Sequence, residues 1–247
     1  MEVASVKKYA NPPIQEAICE IHFERTQPMT PGDFEVIQPV WFSNYPQQEI
    51  VAEKSFEFEF SVQQVNAHSK EIGHKLIARS ADGKHLSQLG PRFLAVNRLG
   101  PYIGWEEEFR GTILARWQEV QTSYAFTAIN RIGLRYINKI DIEQNPLDWS
   151  EWFAVPLPIP AAIPNRGGHF QSHFRQSIGP DIEAILNFGV LSPHSPGWTS
   201  VLLDIDVIWK GTAPAQQIDE FLEHVHQPHR SIFEGYLLDR CRNLFQS

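Results

Sequence analysis

Strict alternation over residues 16–24, Glu-Ala-Ile-Cys-Glu-Ile-His-Phe-Glu, constrains this chain more than any other feature. Side chains change face at every step of a strand, so Ala17, Cys19, Ile21 and Phe23 share one face while Glu16, Glu20, His22 and Glu24 share the other. The segment reads as a half-buried strand with a dry side and a wet side. Pro12 and Pro13 hold its approach extended, because each fixes its own φ and restricts the residue before it.

The same period returns along the chain. Residues 55–62 place Phe56, Phe58 and Phe60 inward. A strand over 75–80 turns at Asp82-Gly83, a strong hairpin signal, into 85–89, and another follows over 93–97. Together 55–98 reads as an antiparallel meander. A long strand spans 126–140.

Helical spacing appears over 31–44, where Phe34, Ile37, Val40 and Trp41 recur and Pro39 should bend or break the helix. It appears again from Trp105, whose stripe continues through Phe109, Ile113, Trp117 and Val120 behind an acidic first turn. Pro146, Pro156, Pro158, Pro160 and Pro164 mark 145–168 as a connection, interrupted by a short helix near 149–153. Strands over 168–176, 182–188 and 200–208 precede one closing helix from about 215 to 245. Ile218, Leu222, Val225, His229, Ile232, Phe233, Tyr236, Leu237 and Leu244 form its buried stripe, and Pro228 should kink it.

The expected class is α+β: a largely antiparallel, curved sheet with helices on one face and a long C-terminal helix. Two intimately associated halves, 1–142 and 168–247, are joined by the proline-rich 143–167 in one compact domain. By analogy, three strands followed by a long helix resemble the second half of helix-grip folds.

With 42% hydrophobic and 20% charged residues, the chain can bury a core without a partner. Its formal charge of −8 argues against nucleic acid, where lysine and arginine must neutralise phosphates. No apolar run matches a membrane span or a secretion signal, so the cytoplasm is the expected location. Cys19 and Cys241 read as free buried thiols. Phosphate loops, dinucleotide fingerprints, nucleophile elbows and zinc-protease motifs do not occur, and no cofactor is expected.

Three clusters could carry chemistry. Arg131 and Arg135 project from one face of the 126–140 strand with Gly133 between them. If that strand neighbours the first, Glu16 and Glu20 would meet them in cross-strand ion pairs; the functional alternative is an arginine-lined anion pocket opened at Gly133, with Arg131, Arg135, Glu16 and Glu20 as the candidate ligand- or anion-binding residues. Asp204 and Asp206 share a strand face and, with His173 as acid or base, could hold a divalent ion for phosphoryl transfer or hydrolysis. That use requires strands 168–176 and 200–208 to be adjacent. His224, His226 and His229 form a weaker metal candidate, since a third ligand at suitable spacing is lacking, and a hydrogen-bonded core histidine is the plainer reading of His229. Tyr9, Tyr45, Tyr102, Trp105 and Trp198, near element ends, either line a ligand groove or seal edges.

Two motifs, Tyr9-Ala10-Asn11-Pro12-Pro13-Ile14-Gln15-Glu16-Ala17 and Arg131-Ile132-Gly133-Leu134-Arg135-Tyr136-Ile137-Asn138, resemble hallmarks of a bacterial family of sporadically distributed proteins of unknown function. The resemblance extends over nearly the whole chain, including the helix at Trp105 and the closing helix. It implies bacterial origin and patchy occurrence of the kind seen in defence-related gene neighbourhoods, and it assigns no catalytic residue. The expected function is therefore a non-enzymatic binding or regulatory protein, with a protein partner first and a small anionic ligand second, in a defence or toxin-antitoxin system. A metal-dependent enzyme and an anion or nucleotide sensor are the alternatives.

Overall fold

The computed structural model describes residues 8–27, 29–60, 65–154 and 168–246, and for 53–60 and 65–72 the backbone alone. Among these, β1 (Ile14–Glu24), β2 (Gln47–Phe60), β3 (Val65–Arg79), β4 (His85–Leu89), β5 (Phe93–Leu99), β6 (Ala128–Ile142), β7 (Gln171–Ser177), β8 (Ile182–Leu191) and β9 (Thr199–Ala213) make one open antiparallel sheet. Their order is β2-β3-β4-β5-β1-β6-β9-β8-β7.

Alternation sets the layering. On β1 the four apolar residues Ala17, Cys19, Ile21 and Phe23 are fully buried, while Glu16, Glu20 and His22 keep partial access to solvent. The strand is inserted between β5 and β6, so that Cys19 faces Val96 on one side and Leu134 on the other. The neighbours β6 and β9 continue the dry side with Leu134, Leu203, Ile205 and Val207, all without exposure. The predicted meander is β2 to β5, and its Asp82-Gly83 turn uses the left-handed φ of +69° that glycine adopts without steric cost.

Helices cover that dry side. Helix α1 (Pro31–Phe42) lies against β2 and β3, α2 (Arg110–Ser123) against β5, and α4 (Ile218–Tyr236) against β6 and β9. The Asp33 carboxylate accepts from the Thr30 amide at 2.7 Å and hydroxyl at 2.6 Å, which closes the first turn of α1. The stripe Trp105, Phe109, Ile113, Trp117 and Val120 is buried along its whole length. No helix among the described residues is long and apolar enough to cross a membrane.

Several expectations need correction. Pro39 does not break α1, which runs to Phe42, whereas Pro228 lies within α4, as expected. The closing helix is instead two helices, α4 and α5 (Asp239–Asn243). The break occurs where Leu237 forms a β-bridge with Phe153, and the Leu238 amide donates to Trp152 O beside the short α3 (Trp149–Trp152). Tertiary hydrogen bonds there replace the helical ones, and Leu244, placed on the buried stripe, is 37% exposed. The strand expected over 168–176 begins at Gln171. The Phe56, Phe58 and Phe60 side chains, residues 61–62, and Pro156, Pro158, Pro160 and Pro164 lie outside the described residues. Both cysteines are free and buried.

Candidate functional site

The sheet face opposite the helices gathers the charged residues of four strands. Arg131 Nη1 donates to Glu20 Oε1 at 2.5 Å, and the same carboxylate oxygen lies 2.7 Å from His22 Nε2. The His22 hydrogen bond, with Arg131 behind it, holds the Glu20 carboxyl below the usual carboxylate range. Glu20 faces Gly133 across the β1/β6 ladder. The space left by the missing side chain is filled by Arg131 itself, whose Nη2 would stand 3.2 Å from an added Cβ.

Arg135 does not pair with Glu16. Its Nε and Nη2 donate to the two oxygens of Asp204 at 2.8 and 2.7 Å, a bidentate pair with a carboxylate that is 5% exposed. This raises the Arg135 pKa, first through the Asp204 hydrogen bond. Glu16 accepts from Asn97 Nδ2 at 2.7 Å. Cross-strand pairing therefore occurs as expected at Glu20 and is replaced at Glu16, because β9 borders β6 and presents Asp204 on the same face.

The aspartate pair is not joined to His173 in a cleft. Strand β8 separates β7 from β9, so His173 reaches the hydrogen-bonded Asn187 (Nδ1 to Oδ1, 2.7 Å), which in turn donates to Asp204 Oδ2 at 2.9 Å. Asp204 thus receives three hydrogen bonds from Arg135 and Asn187. Among the described residues no three His, Cys, Asp or Glu side chains are grouped to hold a metal. Asp206 differs from its neighbour. Burial pushes its pKa up to about 6, against the opposing pull of Arg131 and Arg135.

The other face holds a cavity of about 390 Å³ between the start of β1, the turn before α2, strand β6 and helix α4. Its walls include Tyr9, Tyr102, Trp105, Tyr136 and Phe233. Gly104 begins the turn at φ +156°, and a Cβ there would lie 2.0 Å from Glu107 Oε2. The backbone then makes one π-helical turn, Trp105–Phe109, in which the Phe109 amide reaches Gly104 O and the Arg110 amide reaches Trp105 O. Single π-turns are frequent at functional sites, because the extra residue re-aims the side chains of the helix. Here it carries Trp105, whose Nε1 donates to Glu223 Oε1 at 2.8 Å and whose ring stacks on His226 at 4.2 Å.

Behind this entrance the hydroxyls of Tyr102 and Tyr136 are 3.0 Å apart, and the Tyr136 ring packs on His229 at 4.4 Å. His229 Nε2 lies 3.1 Å from Ile205 O; a carbonyl only accepts, so that nitrogen carries the proton. The N-terminal segment closes one side, with Tyr9 hydrogen-bonded to Glu234 at 3.0 Å and Lys8 paired with Glu107 at 2.5 Å. Burial lowers His226 to about 4 and His229 to about 3, and raises both Tyr102 and Tyr136.

Of the aromatic residues singled out from the sequence, Tyr9, Tyr102 and Trp105 meet at this cavity. Tyr45 instead packs beneath Arg116, and Trp198 against His194. The three histidines diverge: His226 and His229 face the cavity, while His224 lies 3.9 Å from the Asp181 carboxylate. Tyr136 and Asn138 were quoted only within a motif. One signal could have found them, namely two polar-tipped residues on the core side of β6 between Leu134 and Ile140. Compared with models of known protein families and with curated proteins, the chain matches none.

Proposed function

We propose that this chain is a small-ligand-binding protein that performs no chemistry on what it binds. The observation that carries this reading is the aromatic-walled cavity of about 390 Å³ between sheet and helices, a size suited to small organic ligands. Its buried histidines and tyrosines support binding over turnover. A general acid or base works best with a pKa near the operating pH. The cavity histidines are displaced well below neutrality and its tyrosines above, so these groups keep one protonation state. The charged sheet face supports the same view, since Arg131, Arg135, Glu20 and Asp204 are engaged with one another.

The test is thermal unfolding with toluene as a minimal apolar probe. A ligand that binds only the folded state at about 100 times its Kd stabilises it by about 2.7 kcal/mol. Toluene should raise the midpoint of the wild-type protein and not that of Ile14→Trp, in which a larger side chain enters the cavity wall. A wild-type midpoint that toluene leaves unmoved would defeat the proposal.

A further inference from the structure

The polar groups at the back of the cavity leave hydrogen-bonding capacity over. Tyr102 and Tyr136 share a single hydrogen bond, which uses one of their two hydroxyl protons, and neither hydroxyl has a second partner among the described residues. One donor is spare. Asn138, two residues along the same face of β6, spends its amide group on Tyr136 O at 3.2 Å and Leu203 O at 2.9 Å. Those two carbonyls can only accept, so the orientation of the amide is settled. Its Oδ1 is buried and has no partner among the described residues, in a residue with no exposure that lines the cavity. Buried polar groups left in this way are costly, and ligand groups commonly satisfy them.

A neutral group that offers an N–H donor and a carbonyl acceptor together answers both vacancies. A carboxylate brings no donor and would be stripped of water in a lining where the four carboxylates Glu106, Glu107, Glu223 and Glu234 outnumber the two cations Lys8 and Arg230. An ammonium brings no acceptor. The carboxylates it would seek are already engaged, Glu223 by Trp105 and Glu234 by Tyr9, and one face each of Trp105 and Tyr136 is covered by a histidine ring.

We infer that the cavity takes a neutral carboxamide or lactam attached to an apolar ring. Its amide lies against Tyr102, Tyr136 and Asn138, and its ring lies among Trp105 and Phe233. This inference rests on the binding role proposed above and adds the chemical class of the ligand.

Titration calorimetry with five probes of similar size tests it: toluene, benzamide, N,N-dimethylbenzamide, benzoate and benzylamine in its ammonium form. Benzamide should bind about tenfold more tightly than toluene or N,N-dimethylbenzamide, the discrimination expected of one well-placed hydrogen bond. Benzoate and benzylammonium should bind more weakly than toluene. In the double variant Tyr102→Phe/Tyr136→Phe the preference for benzamide over toluene should fall by about tenfold. Either single variant leaves one hydroxyl whose proton is no longer spent on its neighbour, so only the pair removes the spare donor, and removing both partners of a hydrogen bond leaves neither unsatisfied. Equal binding of benzamide and toluene, an unchanged preference in the double variant, or tighter binding of either charged probe overturns the class of ligand alone. Failure of all five, toluene included, overturns the cavity as a binding site.

Discussion

Replacing Asp206 with asparagine should make this protein more stable at neutral pH, although it removes a charge flanked by two arginines. Among the described residues Asp206 has no hydrogen bond or ion pair, and burial outweighs Arg131 and Arg135 to raise its pKa to about 6. A gap of about two between folded and unfolded pKa values, at about 1.4 kcal/mol for each, sets an upper bound near 3 kcal/mol. Partial solvation reduces this to about 1–2 kcal/mol. The sign follows from proton counting. As pH rises through about 4 the unfolded chain releases this proton first, so the native state binds more protons until about pH 6 and stability falls across that window. The penalty is absent below the window and complete above it. Asparagine cannot ionise, so Asp206→Asn should gain about 1–2 kcal/mol near pH 7 and nothing near pH 4. At roughly 2–4 °C per kcal/mol for a chain of this size, the melting midpoint should rise by about 2–8 °C. Urea unfolding of both proteins at several pH values, followed by tryptophan fluorescence, measures this directly. A variant less stable near pH 7, or a difference that does not change with pH, would refute the reasoning.

Arg135→Ala should cost about 2–3 kcal/mol because it strands a carboxylate that is 5% exposed, whereas Arg131→Ala should cost less than about 1 kcal/mol because Glu20 is 38% exposed and keeps His22. Equal urea midpoints for the two variants would contradict this. Burial pushes the Cys19 thiol up and the Cys241 thiol up to about 12, so an aromatic disulfide reagent near pH 8 should label neither in the folded protein and both in denaturant. Rapid labelling of the native chain would show that one is accessible. Gly104→Ala should cost about 1–2 kcal/mol and weaken toluene binding, since a side chain is strained at φ +156° and relief of that strain moves the turn carrying Trp105. Unaltered stability and binding would show that the turn tolerates a side chain.

The elements were legible wherever a local period dominated. The burial of β1 follows its alternation residue by residue, and Trp105 through Val120 form the predicted stripe. The period says nothing of how that helix begins: the π-turn depends on Gly104 and on side chains from elsewhere, Glu223 and His226. The end of α4 was equally hidden, because Tyr236 is followed by a bridge to Phe153, far away in sequence. At the charged face the pair Arg131 and Glu20 was readable from two motifs, while the bond from Arg135 to Asp204 required β9 beside β6.

By itself the sequence determined which side chains of each strand and helix face inward, because backbone geometry repeats over a few residues and apolar groups must leave water. It also determined that a charged layer would stand opposite the core. The tertiary structure decided which partners meet. Strand order chose Asp204 for Arg135, and the docking of α4 and the N-terminal segment on β6 enclosed the cavity. Such choices depend on contacts between residues tens to hundreds of positions apart, where the free energy of long-range pairing and packing, and not any local preference, selects the outcome.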